Sequence, residues 1–495
     1  MKNQIVLIMT DTQRWDMVNC YRKTGLKTPN LDRIAKSGLQ FTNAYTCQPV
    51  CGPARSALFT GTYPHSNGVW ANSMPLGDNV KTIGQRLRDN NIKTAYVGKW
   101  HLDGGDYFGL GKCPDGWDEK YWFDMRNYLE KMSDEARLKS RDMTLMEKEK
   151  VDETFTYGYT VAKKAVAFIE EHKDESFLLC VSFDEPHHPF ICPNKYYDMY
   201  KDFEFPKDIA LDDTLVNKSP HYSAWAGENK NLTKKDISMN FQAYFAANSF
   251  VDHLIGTVYD AMETYTPSAL GIYTSDHGDA LYSHKITNKG PSSYDCVAKI
   301  PFLMWQKNKI SPNNIYPYPT SHIDIVPTIL EFMNIPLSKI LEGKSMLSSV
   351  YTQTKLNDEI FIEYGRYEID HDDFGGFQPM RTIYDGRYKL TVFLQGSDEL
   401  YDLQKDEHEM INLINDVKYS KIRDALHDKL LNWMNKTRDP FRGYYWERRP
   451  WRKDAHKASW AYTLMTRQRE NEEYEPKQLD YLTGLEFKEA VRFKG

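Results

Sequence analysis

Cys51 opens the run Cys51-Gly52-Pro53-Ala54-Arg55-Ser56-Ala57-Leu58-Phe59-Thr60-Gly61, whose residue types suit the start of a helix. Amide donors at such a start, together with the Arg55 guanidinium, can hold an anion beside a nucleophile. Other chemistry-bearing residues stand in short polar clusters far apart in the chain: Asp11, Lys99 with His101, His187 with His188, Asp276 with His277, then His284 and Lys289. Imidazoles titrate where a general acid or base must work near neutral pH. A Cys51 thiolate served by His101 or His187 would make a Cys-dependent hydrolase. That reading leaves Asp276 and Lys289 without a task.

Elements spaced along the chain must bring these clusters together. Apolar runs at Val6 to Met9, Thr94 to Val97, Phe177 to Phe183, Leu270 to Thr274 and Ile300 to Trp305 read as strands. Between them, Leu31 to Ser37, Thr82 to Asp89, Thr156 to Glu171, Phe241 to Met262 and Ile323 to Met333 read as helices. The alternation predicts an α/β fold, a largely parallel sheet sandwiched by helices, with its chemistry beyond the carboxyl ends of the strands. Asp11, Lys99 and His101, His187, and Asp276 with His277 each follow such a run. From about residue 357 the texture changes. Glu359 to Tyr364 and Tyr388 to Phe393 read as strands of a small antiparallel sheet, with a helix over Tyr419 to Asn435 packed on it. The expected division is a catalytic domain over 1–356 and a smaller α+β subdomain over 357–495.

The Cys51 to Gly61 run matches C-x-P-x-R-x-x-x-x-T-G, and the chain here resembles the formylglycine-dependent (type I) sulfatases of the alkaline-phosphatase-like superfamily. The resemblance extends to Gly98-Lys99-Trp100-His101, Pro186-His187-His188-Pro189-Phe190, Asp276-His277-Gly278 and the Glu399 to Leu403 segment. It implies that a sulfatase-maturing enzyme oxidises Cys51 to formylglycine. A hydrated aldehyde carries two hydroxyls on one carbon, so one can attack sulfur and the other can later expel sulfate. It also implies a divalent metal held by Asp11, Asp276, His277 and the modified Cys51, with Ca²⁺ favoured over Mg²⁺ in an oxygen-rich site. Lys99 and Lys289 would bind the sulfate, and Arg55 would add positive charge. His101 would act as base beside the diol, His187 as general acid toward the leaving alcohol, and His284 would support the substrate. Relatives of this kind often carry two Asp residues after the first strand. This chain has Asp11-Thr12, so either the Thr12 hydroxyl or water takes the second place.

The rest of the sequence bounds the partners. Hydrophobic residues are 41%, charged residues 27% and the formal net charge is -6, a globular, mildly acidic composition that excludes a polyanion binder. No apolar stretch approaches the roughly 20 residues of a membrane span, and the apolar N-terminal run reads as a buried strand rather than a signal peptide. The expectation is a cytoplasmic protein with no nucleic-acid or membrane partner, open to homo-oligomerisation. Seven cysteines without regular spacing predict free thiols. Asp103 to Phe108, close behind His101, is placed to touch the group carrying the sulfate, and the polar stretch Lys207 to Asp236 is a candidate lid or rim. The Arg442 to Arg452 segment, mixing Arg with Tyr and Trp, is a candidate stacking surface for which packing is the preferred reading. A sulfated saccharide is favoured over an aryl or steroid sulfate. The alternatives are a phosphonate monoester or phosphodiester hydrolase on the same scaffold, and a catalytically inactive binding homologue.

Overall fold

The computed structural model describes residues 2–206, 208–368, 377–452, 454–455 and 479–486. Its strands are β1 (Gln4–Thr10), β2 (Leu39–Phe41), β3 (Ala44–Tyr45), β4 (Lys93–Gly98), β5 (Phe177–Ser182), β6 (Leu270–Ser275), β7 (Phe302–Trp305), β8 (Asn314–Tyr316), β9 (Thr320–Ser321), β10 (Ile360–Tyr364), β11 (Met380–Tyr384), β12 (Tyr388–Phe393) and β13 (Glu399–Asp402). A seven-stranded sheet runs in the order β4-β5-β1-β6-β7-β2-β8. Its first four strands are parallel, with Gln4 opposite Phe177 and Ile5 opposite Leu270. β7 runs antiparallel to both neighbours, so the sheet is mixed.

β1, β5 and β6 are buried at every residue, as a parallel strand covered on both faces must be. The pleat sorts their side chains. Val6 and Ile8 enter the core under the helices Pro29–Ser37, Tyr157–Glu171 and Lys234–Tyr265, while Ile5, Leu7 and Met9 enter the core under Ile83–Arg88 and Ile325–Phe332. The long helix starts at Lys234, ahead of the first apolar residue of its pattern. Thr233 caps it, accepting from the Asp236 amide while Asp236 accepts from the Thr233 amide, and the first turns lie outside the core.

β10-β11-β12-β13 form a four-stranded antiparallel sheet. The helix Ser420–Lys436 covers it, burying Leu426, Leu430, Leu431 and Met434 against Ile383, Leu390, Val392 and Leu400. Cys47, Ala57 and Tyr63 join the same core, tying this sheet to the helix that begins at Cys51. The expected subdomain residues 456–478 and 487–495 lie outside the described residues. Among the described residues, no helix is long and apolar enough to cross a membrane.

Candidate active site

Ladder hydrogen bonds continue one residue past the strand tips and so aim the following side chains. Lys99 N donates to Ser182 O (3.0 Å) and Asp276 N to Thr10 O (3.1 Å). Asp11, Lys99 and Asp276 therefore leave β1, β4 and β6 at one edge of the sheet. Cys51 comes from the other direction, as the first residue of the helix Cys51–Thr60. Asn72 Oδ1 takes the Gly52 amide (2.8 Å) and Pro53 has none, so those two positions offer no free donor to an anion.

One ligand atom from each of Asp11, Cys51, Asp276 and His277 lies within 4.8 Å of the others. All four side chains are buried. His277 Nδ1 is 2.8 Å from the Gly278 carbonyl, which can only accept, so Nδ1 carries a proton and Nε2 faces Cys51 Sγ at 3.2 Å. Burial opposes a charge on this ring, but Asp276 and Cys51 outweigh it and push the imidazole up to about 9. Two carboxylates and an imidazole whose Nδ1 proton is fixed suit a hard dication once Nε2 gives up its proton and the fourth ligand is an oxygen. Thr12, in a left-handed conformation (φ 67°), adds no carboxylate. Its hydroxyl donates to Asp11 Oδ1 (2.5 Å) and its amide to Asp276 Oδ1 (3.1 Å), so it orients both acids.

The expectation that Arg55 lies open to an anion is corrected by its contacts. Its guanidinium bridges Asp276 Oδ2 (3.0 Å) and Asp11 Oδ2 (2.9 Å) and also donates to Lys99 O and Ser182 Oγ. It braces the acids rather than facing solvent, and its exposure is 0%. Lys99 Nζ lies 2.8 Å from Asp11 Oδ2 and 3.2 Å from Asp184 Oδ1. Lys289 Nζ lies 2.8 Å from His187 Nε2, and that nitrogen is 4.0 Å from Asp11 Oδ1.

This crowding of charge sets the protonation states. Burial opposes the Asp11 carboxylate, yet Lys99, His187 and Arg55 hold it well below the usual carboxyl range. Asp276, buried beside that charge, is pushed up to about 7. Burial and Asp11 disfavour a Cys51 thiolate, but Lys289, Lys99 and His277 outweigh them and hold the thiol low. Burial first, then Lys289 and Lys99, depress His187.

Asp11, Cys51, Arg55, Lys99, His187, Asp276, His277 and Lys289 thus meet in one cluster. His101 is buried beside it, its ring 6.1 Å from that of Tyr107 and both its nitrogens unpartnered among the described residues. His284 is not part of the cluster. It bonds Asp213 Oδ2 through Nδ1 (2.6 Å) and stacks on Tyr294, because the turn after β6 carries it under the 208–228 segment. Its expected place at the substrate is therefore withdrawn. That segment, without a period in the sequence, is partly helical. Beyond Lys207, which lies outside the described residues, it forms the helix Pro220–Glu228 with Tyr222 and Trp225 buried. The Arg442 to Arg452 stretch packs: Trp446 is buried, Arg449 and Trp451 bind Asp398, and Arg452 binds Asp428.

Two residues that the motifs passed over complete the site. Tyr107 Oη donates to Asp184 (2.6 Å), lies 3.1 Å from His187 Nδ1, and its ring stands 3.9 Å from Lys99 Nζ. The signal for Asp184 was its position just past β5, and for Tyr107 the loop close behind His101.

A sulfatase family model matches residues 3–335, and a model of the N-sulphoglucosamine sulphohydrolase C-terminal region matches residues 290–436. An uncharacterized sulfatase, YidJ, of Escherichia coli is 41% identical over 97% of this chain and 96% of its own. An N-acetylglucosamine-6-O-sulfatase of Bacteroides thetaiotaomicron is 22% identical over 85% of this chain and 84% of its own. Among solved structures, a chain in complex with its substrate D-glucosamine-2-N,6-O-disulfate superposes with a TM-score of 0.73 at 19% identity, covering 89% of this chain and 99% of the other. The phosphonate monoester hydrolase of Agrobacterium radiobacter gives the same TM-score of 0.73, also at 19%, covering 88% and 96%. With a family model spanning most of its length and a close relative matched almost end to end, the chain belongs to the sulfatase family.

Proposed function

We propose that the protein hydrolyses the sulfate monoester of a small sulfated sugar, with Cys51, matured to formylglycine, as nucleophile. The observation that supports this most is the Cys51 side chain itself, set between two buried carboxylates and His277 Nε2 with Lys99 and Lys289 close by. When present, the formylglycine hydrate would supply the attacking oxygen, and a divalent cation, Ca²⁺ before Mg²⁺, would supply Lewis acidity. Asp11, Asp276 and His277 would hold that cation, with Arg55 and Thr12 fixing the two acids. A maturing enzyme acting on Cys51 is the partner this reading requires.

The remaining residues bind and move protons. Lys289 and Lys99 attract the sulfate group, and its negative charge offsets the two ammonium charges that depress His187. A protonated His187 then becomes accessible near neutral pH, with Nε2 the atom that passes a proton to the leaving alcohol. His101, with both nitrogens unspent, takes the base role on the diol side. The saccharide preference rests on the sugar sulfates named for relatives, among them the N-acetylglucosamine-6-O-sulfatase.

The test is a side-by-side rate measurement on 4-nitrophenyl sulfate and bis(4-nitrophenyl) phosphate with matured protein. Mass analysis of the peptide carrying residue 51 accompanies it. Faster sulfate turnover with residue 51 converted to the aldehyde, abolished by Cys51→Ala without unfolding, is expected. Phosphodiester turnover far above sulfate turnover would overturn the reading.

A further inference from the structure

The Tyr107 ring carries two cations. Lys99 Nζ stands 3.9 Å from its centroid inside the site, and the Arg141 guanidinium 5.3 Å from it at the surface. Arg141 is also 5.3 Å from the Phe108 centroid, so two aromatic rings hold its planar head in place. Arg141 is exposed, and among the described residues no carboxylate lies within ion-pair distance of it. Its neighbours differ: Arg126 pairs with Asp106 (3.2 Å), and Arg137 donates to Leu129 O (2.8 Å). A narrow cleft of about 50 Å³ has Arg141 and His187 in its lining, with Asp184 and Glu185. Behind it, Arg141, Arg126, Arg137 and Phe108 line a recess of about 340 Å³ together with Glu130 and with Asp106, the acid that Arg126 engages.

An oriented guanidinium without a protein counter-charge, one aromatic ring away from the catalytic histidine, is arranged for a ligand anion. We propose that Arg141 forms a subsite for a second anionic group on the alcohol part of the ester, a sulfate or a carboxylate carried by the sugar. The assignment rests on the sulfatase reading above and adds the substrate class to it. His187 faces the departing oxygen, so groups beyond that oxygen extend past Tyr107 toward Arg141. Because Arg141 is exposed, its contribution is modest and falls as salt is raised.

The experiment compares Arg141→Gln and Arg141→Lys with the parent, all matured, on four sulfate esters. Two have no second charge that is anionic, 4-nitrophenyl sulfate and N-acetylglucosamine 6-sulfate. Two do, glucosamine 2-N,6-O-disulfate and a sulfated glucuronate, which separate a sulfate from a carboxylate as the recognised group. The expected result is a KM about fivefold higher for Arg141→Gln on at least one doubly anionic substrate with kcat held, partial recovery in Arg141→Lys, and unchanged kinetics on both singly charged esters. An equal effect on all four, or none on either doubly anionic sugar, overturns the subsite while leaving the sulfatase reading intact. Failure of the parent to turn over any sulfate ester removes that reading and the subsite with it.

Discussion

His187 presents two different nitrogens to its surroundings, and the difference dictates its use. Nδ1 lies 2.7 Å from the His188 carbonyl and so holds a proton permanently, leaving Nε2 as the exchanging atom beside Lys289. His187→Ala should therefore lower turnover of alkyl sulfates by about 10²- to 10⁴-fold. Aryl sulfates with acidic leaving groups should lose far less, since they depart without a proton. Measured leaving-group dependence of kcat decides it; an equal loss on both classes would assign His187 to binding alone. Arg55 argues differently. Replaced by Met, it leaves Asp11 and Asp276 buried without their shared counter-charge, at a cost of about 3–5 kcal/mol. Thermal denaturation in chelator should register that loss, and added Ca²⁺ should recover more in the variant than in the parent. Identical melting of the two proteins in chelator would show that Arg55 is no brace. The motifs named Arg55, Lys99, His187 and Lys289 correctly as neighbours. They misjudged Arg55's contacts and placed His284 with them, because spacing in the chain carries no information on which way a turn of left-handed residues points a side chain.

At the scale of elements, β4 and β5 show how closely backbone must pack to deliver Lys99. Gly98 closes β4 with φ 123°, and a Cβ there would stand 1.9 Å from Ser182 O. Both conformation and contact exclude a side chain. Gly98→Ala must push β4 from β5, moving Lys99, whose amide bonds that same Ser182 carbonyl. A loss of about 2–3 kcal/mol is expected, with kcat falling more than KM rises. Unaltered melting and kcat would show that the strands tolerate separation. The central strands were legible because apolar residues run without interruption in a strand buried on both faces. The antiparallel direction of β7 was not, since a fully buried run reads the same in either direction. The Pro220–Glu228 helix was hidden for another reason: it buries only Tyr222 and Trp225, too few to make a period.

On the whole molecule, a buried polar knot joins the segment before the long helix to the loop after β6 and to the antiparallel sheet. Lys218 Nζ contacts Asp213 and lies 2.7 Å from Glu409 O, His284 Nδ1 is 2.6 Å from Asp213, and Ser219 N donates to Glu399 Oε1 (3.0 Å). Burial drives His284 down to about 4, and although burial opposes the Asp213 charge, His284 and Lys218 hold that carboxyl low. Both folded pKa values lie below the unfolded ones, near 6.5 for His and 3.9 for Asp. Between those limits the unfolded chain binds more protons than the folded one, so stability rises with pH. The contribution is fully present above about pH 6.5, His284's part is lost as pH falls toward 4, and Asp213's below that. His284→Gln removes the first of these titrations while keeping a polar partner for Asp213. The variant's melting temperature, followed from pH 7 to pH 4.5, should fall less steeply than the parent's, and hydrogen exchange in Pro220–Glu228 should speed up on acidification in the parent more than in the variant. Parallel melting curves for the two proteins would show that the knot does not sense protons, and that acid loosens the molecule elsewhere.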